Sequence, residues 1–160
     1  MNYLERHLEP LERLRSRWPQ SFIAQPENQS GDVLIVVPGV LLPKGWNKTI
    51  CTVLFMVNPY SITPVSEFYV DLPDLKLENG DIPKRSCVCG GPWDGAMPMF
   101  RQRAGIWDGP PGFPEWKNCR LFLWRQQSFD PNRETIFTSM MVIRERLKIL
   151  TPAYEPQDDN

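Results

Sequence analysis

Nine consecutive residues, Thr49-Ile50-Cys51-Thr52-Val53-Leu54-Phe55-Met56-Val57, are apolar at both alternating sets of positions. In an extended chain successive side chains point to opposite faces, so Ile50, Leu54 and Met56 share one face and Cys51, Val53, Phe55 and Val57 the other. A strand apolar on both faces is stable only where both are covered, which predicts the central strand of a layered sheet. Cys51 is then read as interior packing.

Shorter runs of the same type flank it. Ser21–Gln25, Asp32–Val37 before Pro38-Gly39, and Glu67–Asp71 before Pro73 are each bounded by breakers, and with Thr49–Val57 they predict four strands in an antiparallel meander. Ahead of them, Leu4, Leu8, Leu11 and Trp18 recur at helical spacing with charged residues between, which predicts an amphipathic helix ending near Arg17. Pro10 must sit in the first turn of the main helix or kink the segment. After the meander, Leu72 to about Asn118 shows no periodicity and is rich in Pro and Gly. Trp93, Trp107 and Trp116 argue against disorder there, so an ordered irregular loop is expected, of a length that is commonly functional. Regular structure resumes near Leu121. Asp130-Pro131 reads as a helix start, followed by the apolar stripe Ile136, Met140, Ile143 and Leu147. Arg144, Arg146 and Lys148 suit the C-terminal end of that helix.

The size, 160 residues, fits one domain over residues 1–150, with a loose acidic tail at 151–160. Net charge is −1, which predicts no nucleic-acid surface. The longest apolar run, Val53–Val57, is far short of the roughly 20 residues that span a bilayer, and the N-terminus lacks a signal peptide's apolar core. A cytoplasmic protein with no membrane partner is expected, and in that compartment thiols stay reduced.

The four cysteines are then candidates for chemistry, metal or packing. Motifs for phosphate cradling, dinucleotide binding, serine hydrolysis and zinc proteolysis are absent. The best chemical feature is Arg85-Ser86-Cys87-Val88-Cys89-Gly90-Gly91-Pro92-Trp93. A thiolate is a strong nucleophile favoured by nearby positive charge, here Lys84 and Arg85. Gly90-Gly91 can aim backbone N–H groups at a developing oxyanion. The same residues also read as a solvated basic pair followed by a turn. Zinc would need two well-spaced pairs, whereas Cys51 and Cys119 are isolated and the only histidine, His7, is remote. A Cys87–Cys89 disulfide would close a strained small ring. Cys119, just before Leu121-Phe122-Leu123-Trp124, reads first as packing, and its place at the loop edge keeps it as a reserve candidate.

The predicted order, an α+β arrangement of helix, meander, long active-site loop and helix, resembles the ubiquitin-conjugating-enzyme fold. Pro59-Tyr60-Ser61-Ile62-Thr63-Pro64-Val65-Ser66-Glu67-Phe68 is similar to that superfamily's YPFxPPxxxF segment, with Tyr60, Ile62, Pro64 and Phe68 in matching places and Val65 replacing the second proline. LLPKGWNKT at Leu41–Thr49, VDLPDLKLENG at Val70–Gly80, CVCGGPW at Cys87–Trp93 and FDPNRETIFTSMMVIRERL at Phe129–Leu147 resemble the divergent bacterial branch found in ubiquitin-like conjugation operons. The resemblance implies acyl transfer: a cysteine takes a ubiquitin-like protein from an activating enzyme as a thioester and passes it to a protein substrate or other nucleophile. It implies that Cys87 and Cys89 are the active-site thiols, one holding the acyl group while the other relays or tunes it. No cofactor is implied, because the energy arrives in the thioester. Antiviral defence is the corresponding family-level purpose. In place of the superfamily's HPN tripeptide this chain reads Leu77-Glu78-Asn79, eight positions before Cys87 at its Asn. Asn79 is therefore a candidate oxyanion-supporting residue, with Asn79-Gly80 as a turn pair the competing reading. The loop beyond Trp93 is longer than in typical relatives. A non-catalytic variant that binds a ubiquitin-like protein is the alternative in another functional class, and a small redox or metal-binding protein using Cys87-Val88-Cys89 is a third.

Overall fold

A computed structural model describes residues 3–24, 33–57, 63–89 and 119–150. Helix α1 spans Tyr3–Arg17. Strands β1 (Phe22–Ala24), β2 (Val33–Leu41), β3 (Ile50–Val57), β4 (Glu67–Val70), β5 (Ser86–Cys89) and β6 (Cys119–Leu123) follow, and helix α2 spans Ile136–Leu147. The six strands form one antiparallel sheet in the order β1-β2-β3-β4-β6-β5. The class is α+β. No helix among the described residues is long and apolar enough to cross a membrane.

The expected meander is present as β1 to β4, and β3 is central. It is buried at nearly every position along its length, as its two apolar faces require. Ile35, Val37, Val53, Phe55, Phe68, Val70 and Phe122 share one face and join Leu11, Leu14 and Trp18 of α1 and Ile136, Met140, Ile143 and Leu147 of α2 in one cluster. Both helices therefore pack on the same side of the sheet. Leu34, Val36, Leu54, Tyr69 and Cys119, at alternate positions, are buried outside that cluster, so the second face is buried as well.

Three expectations are corrected. The sheet has six strands rather than four, because Ser86–Cys89 lies within the expected loop and pairs with Cys119–Leu123. Strand β2 does not stop before Pro38-Gly39 but runs through it, with a register shift between Val37 and Val40 and a positive φ of 77° at Gly39. A bulge tolerates both residue types, proline for its missing donor and glycine for its left-handed backbone. Helix α2 starts after Thr135 rather than at Asp130-Pro131. The Asp130 carboxylate accepts from Asn132 N at 3.0 Å, and its carbonyl accepts from Arg133 and Glu134 N, which spends it on a turn. Thr135 and Thr138 then close a reciprocal cap, Thr135 N donating to Thr138 Oγ1 at 2.7 Å and Thr138 N to Thr135 Oγ1 at 3.3 Å.

Pro10 lies inside α1 and is buried. An interior proline costs a helix about 3 kcal/mol. Burial of Leu11, Leu14 and Trp18 offsets this, at about 1.5–3 kcal/mol for a large apolar side chain. The segments 25–32, 58–62, 90–118 and 151–160 lie outside the described residues, and with them Gly90, Gly91, Trp93, Trp107, Trp116, Tyr60, Ile62 and the expected tail.

At the end of β4, Asp71 accepts from Thr52 N at 2.9 Å. Burial raises its carboxyl above the usual range, with hydrogen bonds from Thr52 and its own backbone opposing. A carboxyl whose folded pKa exceeds its unfolded one favours folding when protonated. Stability is therefore lost as pH rises from the ordinary carboxylate pKa through the raised folded value. Asp71→Asn keeps the acceptor without the charge. It is expected to raise stability at neutral pH by about 1 kcal/mol or less, a gain that disappears in acid. Urea titrations at neutral and acid pH measure both.

Candidate active site

The candidate nucleophiles lie on a strand rather than in a loop. Cys87 pairs with Leu121 and Cys89 with Cys119 across β5 and β6. A strand's two-residue period puts positions 87 and 89 on one face, their Cα atoms about 6.6 Å apart. The Cys87 side chain is exposed; that of Cys89 lies outside the described set, as does that of His7. Cys51 is buried, and burial, with the Asp71 carboxylate adding to it, pushes its thiol far above the ordinary range. Cys119 is fully buried. Of the thiols whose side chains are described, Cys87 alone is exposed. Among the described residues no three His, Cys, Asp or Glu gather closely enough to hold a metal ion.

The turn before β5 is held from below by two buried arginines. Arg120 of β6 donates through Nη1 to Ser86 Oγ at 2.9 Å and through Nη2 to the Pro73 carbonyl at 3.0 Å. Ser86 Oγ in turn donates to the Pro83 carbonyl at 2.7 Å. Arg146 of α2 donates to the Lys84 carbonyl at 3.0 Å and to the Ile149 carbonyl at 3.3 Å, its guanidinium 5.2 Å from the Phe122 ring centroid. Long arginine stems can lie along apolar surface, which lets such residues be buried. Between these anchors Arg85 adopts φ 54°, a left-handed conformation that costs a non-glycine residue about 1–2 kcal/mol. It persists because both sides of the turn are tied down: the Arg85 carbonyl also accepts from Leu123 N at 2.8 Å.

The surroundings of β5 are cationic. Lys84 and Arg85 enter it, and Arg120 and Arg146 lie beneath it. Burial lowers the Arg120 guanidinium from its usual range, while Cys87 first and Asp74 second hold it up. Burial also lowers Arg146, and Arg85 adds to that. Both remain guanidinium ions at neutral pH, since arginine keeps its proton in proteins. Arg120 Nε is buried and has no hydrogen-bond partner among the described residues. Sequence reading missed Arg120 and took Arg146 only as a helix-end cation. A signal was available for each: Arg120 alternates with apolar residues in Cys119–Leu123, and Arg146 stands one turn past Ile143 on the apolar stripe.

Asn79 is engaged in a local turn. Its Oδ1 accepts from Asp81 N and its Nδ2 donates to Asp81 Oδ2, both at 3.0 Å, around Gly80 with φ 93°. Both polar atoms of the amide serve this turn, and no hydrogen bond among the described residues links Asn79 to Cys87. The expected Gly90-Gly91 donors lie outside the described residues.

Arg120→Ala removes the donors to the Pro73 carbonyl and to Ser86 Oγ, which keeps only its bond to the Pro83 carbonyl. A loss of about 2–3 kcal/mol is expected, read as a lower urea midpoint and faster amide exchange in Ser86–Cys89. Comparison of the chain with family models, with curated proteins and with solved structures found no match to any of them.

Proposed function

We propose that this chain is a conjugating enzyme of the ubiquitin-conjugating fold, acting on a ubiquitin-like protein, with Cys87 as the first acceptor thiol. The single observation that carries the reading is an exposed cysteine on a rigidly held strand with two buried guanidinium groups beneath it. The two guanidinium groups grip the strand from the helix-covered face, opposite the face that carries the Cys87 side chain, and so fix the backbone that presents the thiol. The similar stretches at Leu41–Thr49, Val70–Gly80, Cys87–Trp93 and Phe129–Leu147 add the family context.

In the reaction, the Cys87 thiolate attacks the thioester carbonyl carbon presented by the activating enzyme. The tetrahedral oxyanion collapses, the bond to the activating enzyme's sulfur breaks, and that thiolate leaves and takes up the proton Cys87 gave up. An amine or other nucleophile of the protein substrate then attacks the new thioester carbonyl, the bond to the Cys87 sulfur breaks, and the Cys87 thiolate leaves and takes up the proton the nucleophile gives up. Cys89, two residues along the strand, is proposed as the thiol that receives or tunes the acyl group. A role for Asn79 at the oxyanion requires its amide to leave Asp81.

Incubation with the activating enzyme, ATP and the ubiquitin-like protein is expected to give an adduct cleaved by thiol reductant. Cys87→Ala abolishes it, whereas Cys51→Ala leaves it in place. If Cys87→Ala and Cys89→Ala each load and transfer like the parent, the catalytic reading fails. Stable, non-covalent binding with no adduct would instead favour the non-catalytic variant.

A further inference from the structure

Among the described residues β5 pairs with β6 alone and forms an edge of the sheet. The direction of its backbone groups follows from two hydrogen bonds. Leu123 N donates to the Arg85 carbonyl, and Trp124 N donates to the Ser66 carbonyl. In an antiparallel ladder, hydrogen-bonded pairs alternate with non-bonded ones. Continuing the register from Arg85 opposite Leu123, positions 87 and 89 spend their N–H and C=O on Leu121 and Cys119. From Ser66 opposite Trp124, Phe122 and Arg120 are likewise turned toward β4. Both bonds give the same answer: Ser86 and Val88 direct their N–H and C=O away from β6, toward the edge that no described strand occupies.

Edge strands are usually protected by proline, an inward charge or a bulge. Ser86-Cys87-Val88-Cys89 has none of these, and the Val88 side chain is 56% exposed. From this edge we infer that the extended C-terminal tail of the ubiquitin-like protein adds to β5 as a seventh, antiparallel strand, hydrogen-bonded to Val88 and ending opposite Cys87. The inference rests on the acyl-transfer reading and specifies how the acyl donor is held.

The geometry suits the chemistry. A residue opposite Cys87 on the added strand is in a non-hydrogen-bonded pair, with Cα atoms about 4.5 Å apart and both side chains on one face. A tail that stops there brings its terminal carbonyl within reach of the Cys87 sulfur. Antiparallel addition runs the tail from the Cys89 end toward Arg85, so the developing oxyanion forms beside the basic turn at Lys84-Arg85. Backbone bonds supply affinity, and exposed Val88 supplies an apolar contact for an alternate side chain.

Val88→Pro tests this, because proline removes the outward N–H and is tolerated on an edge strand. The probe is a synthetic octapeptide of alternating threonine and leucine ending in a glycine benzyl thioester. Cys87 thiolate attacks its carbonyl, the bond to the benzyl sulfur breaks, and benzyl thiolate leaves and takes up the proton from Cys87. Val88→Pro is expected to slow this exchange tenfold or more, while alkylation of Cys87 by iodoacetamide stays within twofold. In the parent protein, the Val88 amide is expected to gain protection from hydrogen exchange when the same peptide is present. Equal exchange rates in parent and Val88→Pro overturn edge addition. If Val88→Pro does not fold, an unprotected Val88 amide in the parent overturns it. Neither result touches the acyl-transfer reading, which fails instead if Cys87→Ala and Cys89→Ala each load from the activating enzyme and transfer like the parent.

Discussion

Trp46→Ala is expected to destabilise the protein by about 3–5 kcal/mol, the range for truncating a large buried aromatic side chain. Trp46 is 5% exposed. Its indole Nε1 donates to the Leu147 carbonyl at 2.7 Å, holding the last turn of α2 where helix carbonyls lack partners. Its ring meets Phe122 edge-on, centroids 6.1 Å apart, while Phe68 stacks on Phe122 at 5.1 Å. Its backbone bridges to Leu77 in the segment that leads toward β5. One side chain therefore joins α2, β6 and the approach to the candidate nucleophile. Against a typical total of about 5–15 kcal/mol, the loss consumes a large share of the stability. Trp46→Phe keeps most of the packing and leaves the Leu147 carbonyl without its donor, for a loss of about 1–2 kcal/mol. Urea midpoints of the two variants separate packing from the hydrogen bond: equal midpoints would mean that the ring contributes little beyond its N–H.

The parts of the fold that were legible in the sequence are those whose signal is local. Helix α1 and β1 to β4 each carry a periodicity or a bounded apolar run, and β3 announced its own burial through two apolar faces. Strand β5 was not legible. Ser86-Cys87-Val88-Cys89 is too short to show alternation, and its partner lies beyond residues 90–118, so what makes it a strand is a pairing and not a propensity. The start of α2 was misplaced because Asp130 and Thr135 are both good caps, and Asp130 was already committed to the preceding turn. Pro38-Gly39 looked like a stop and is a bulge, since neither residue can be told from a turn without its neighbour strand.

The candidate site divides in the same way. Cys87 stood out as a residue type next to Lys84 and Arg85, and Asn79-Gly80 carried its turn in plain view. The edge position of β5, the exposure of Cys87 and the two guanidinium groups beneath it depend on where β6 and α2 land. Arg120 was the most readable of the hidden residues, because a cation facing the core from an apolar strand needs acceptors, and Ser86 and Pro73 provide them.

Cys87→Ser replaces the acceptor sulfur by oxygen and changes the chemistry of any acyl adduct without moving the backbone. A thioester is cleaved by thiol reductant, because a second thiolate attacks the same carbonyl carbon and displaces the first. The corresponding oxygen ester has a poorer leaving group, resists the reductant and yields to hydroxide. The most direct test of the proposed acceptor is therefore to load Cys87→Ser from the activating enzyme with ATP and the ubiquitin-like protein, and to treat the product with dithiothreitol. The result expected is an adduct that forms more slowly than in the parent protein, survives the reductant and is released by mild alkali. An adduct of Cys87→Ser that dithiothreitol still cleaves would place the acyl group on a different sulfur and contradict the assignment.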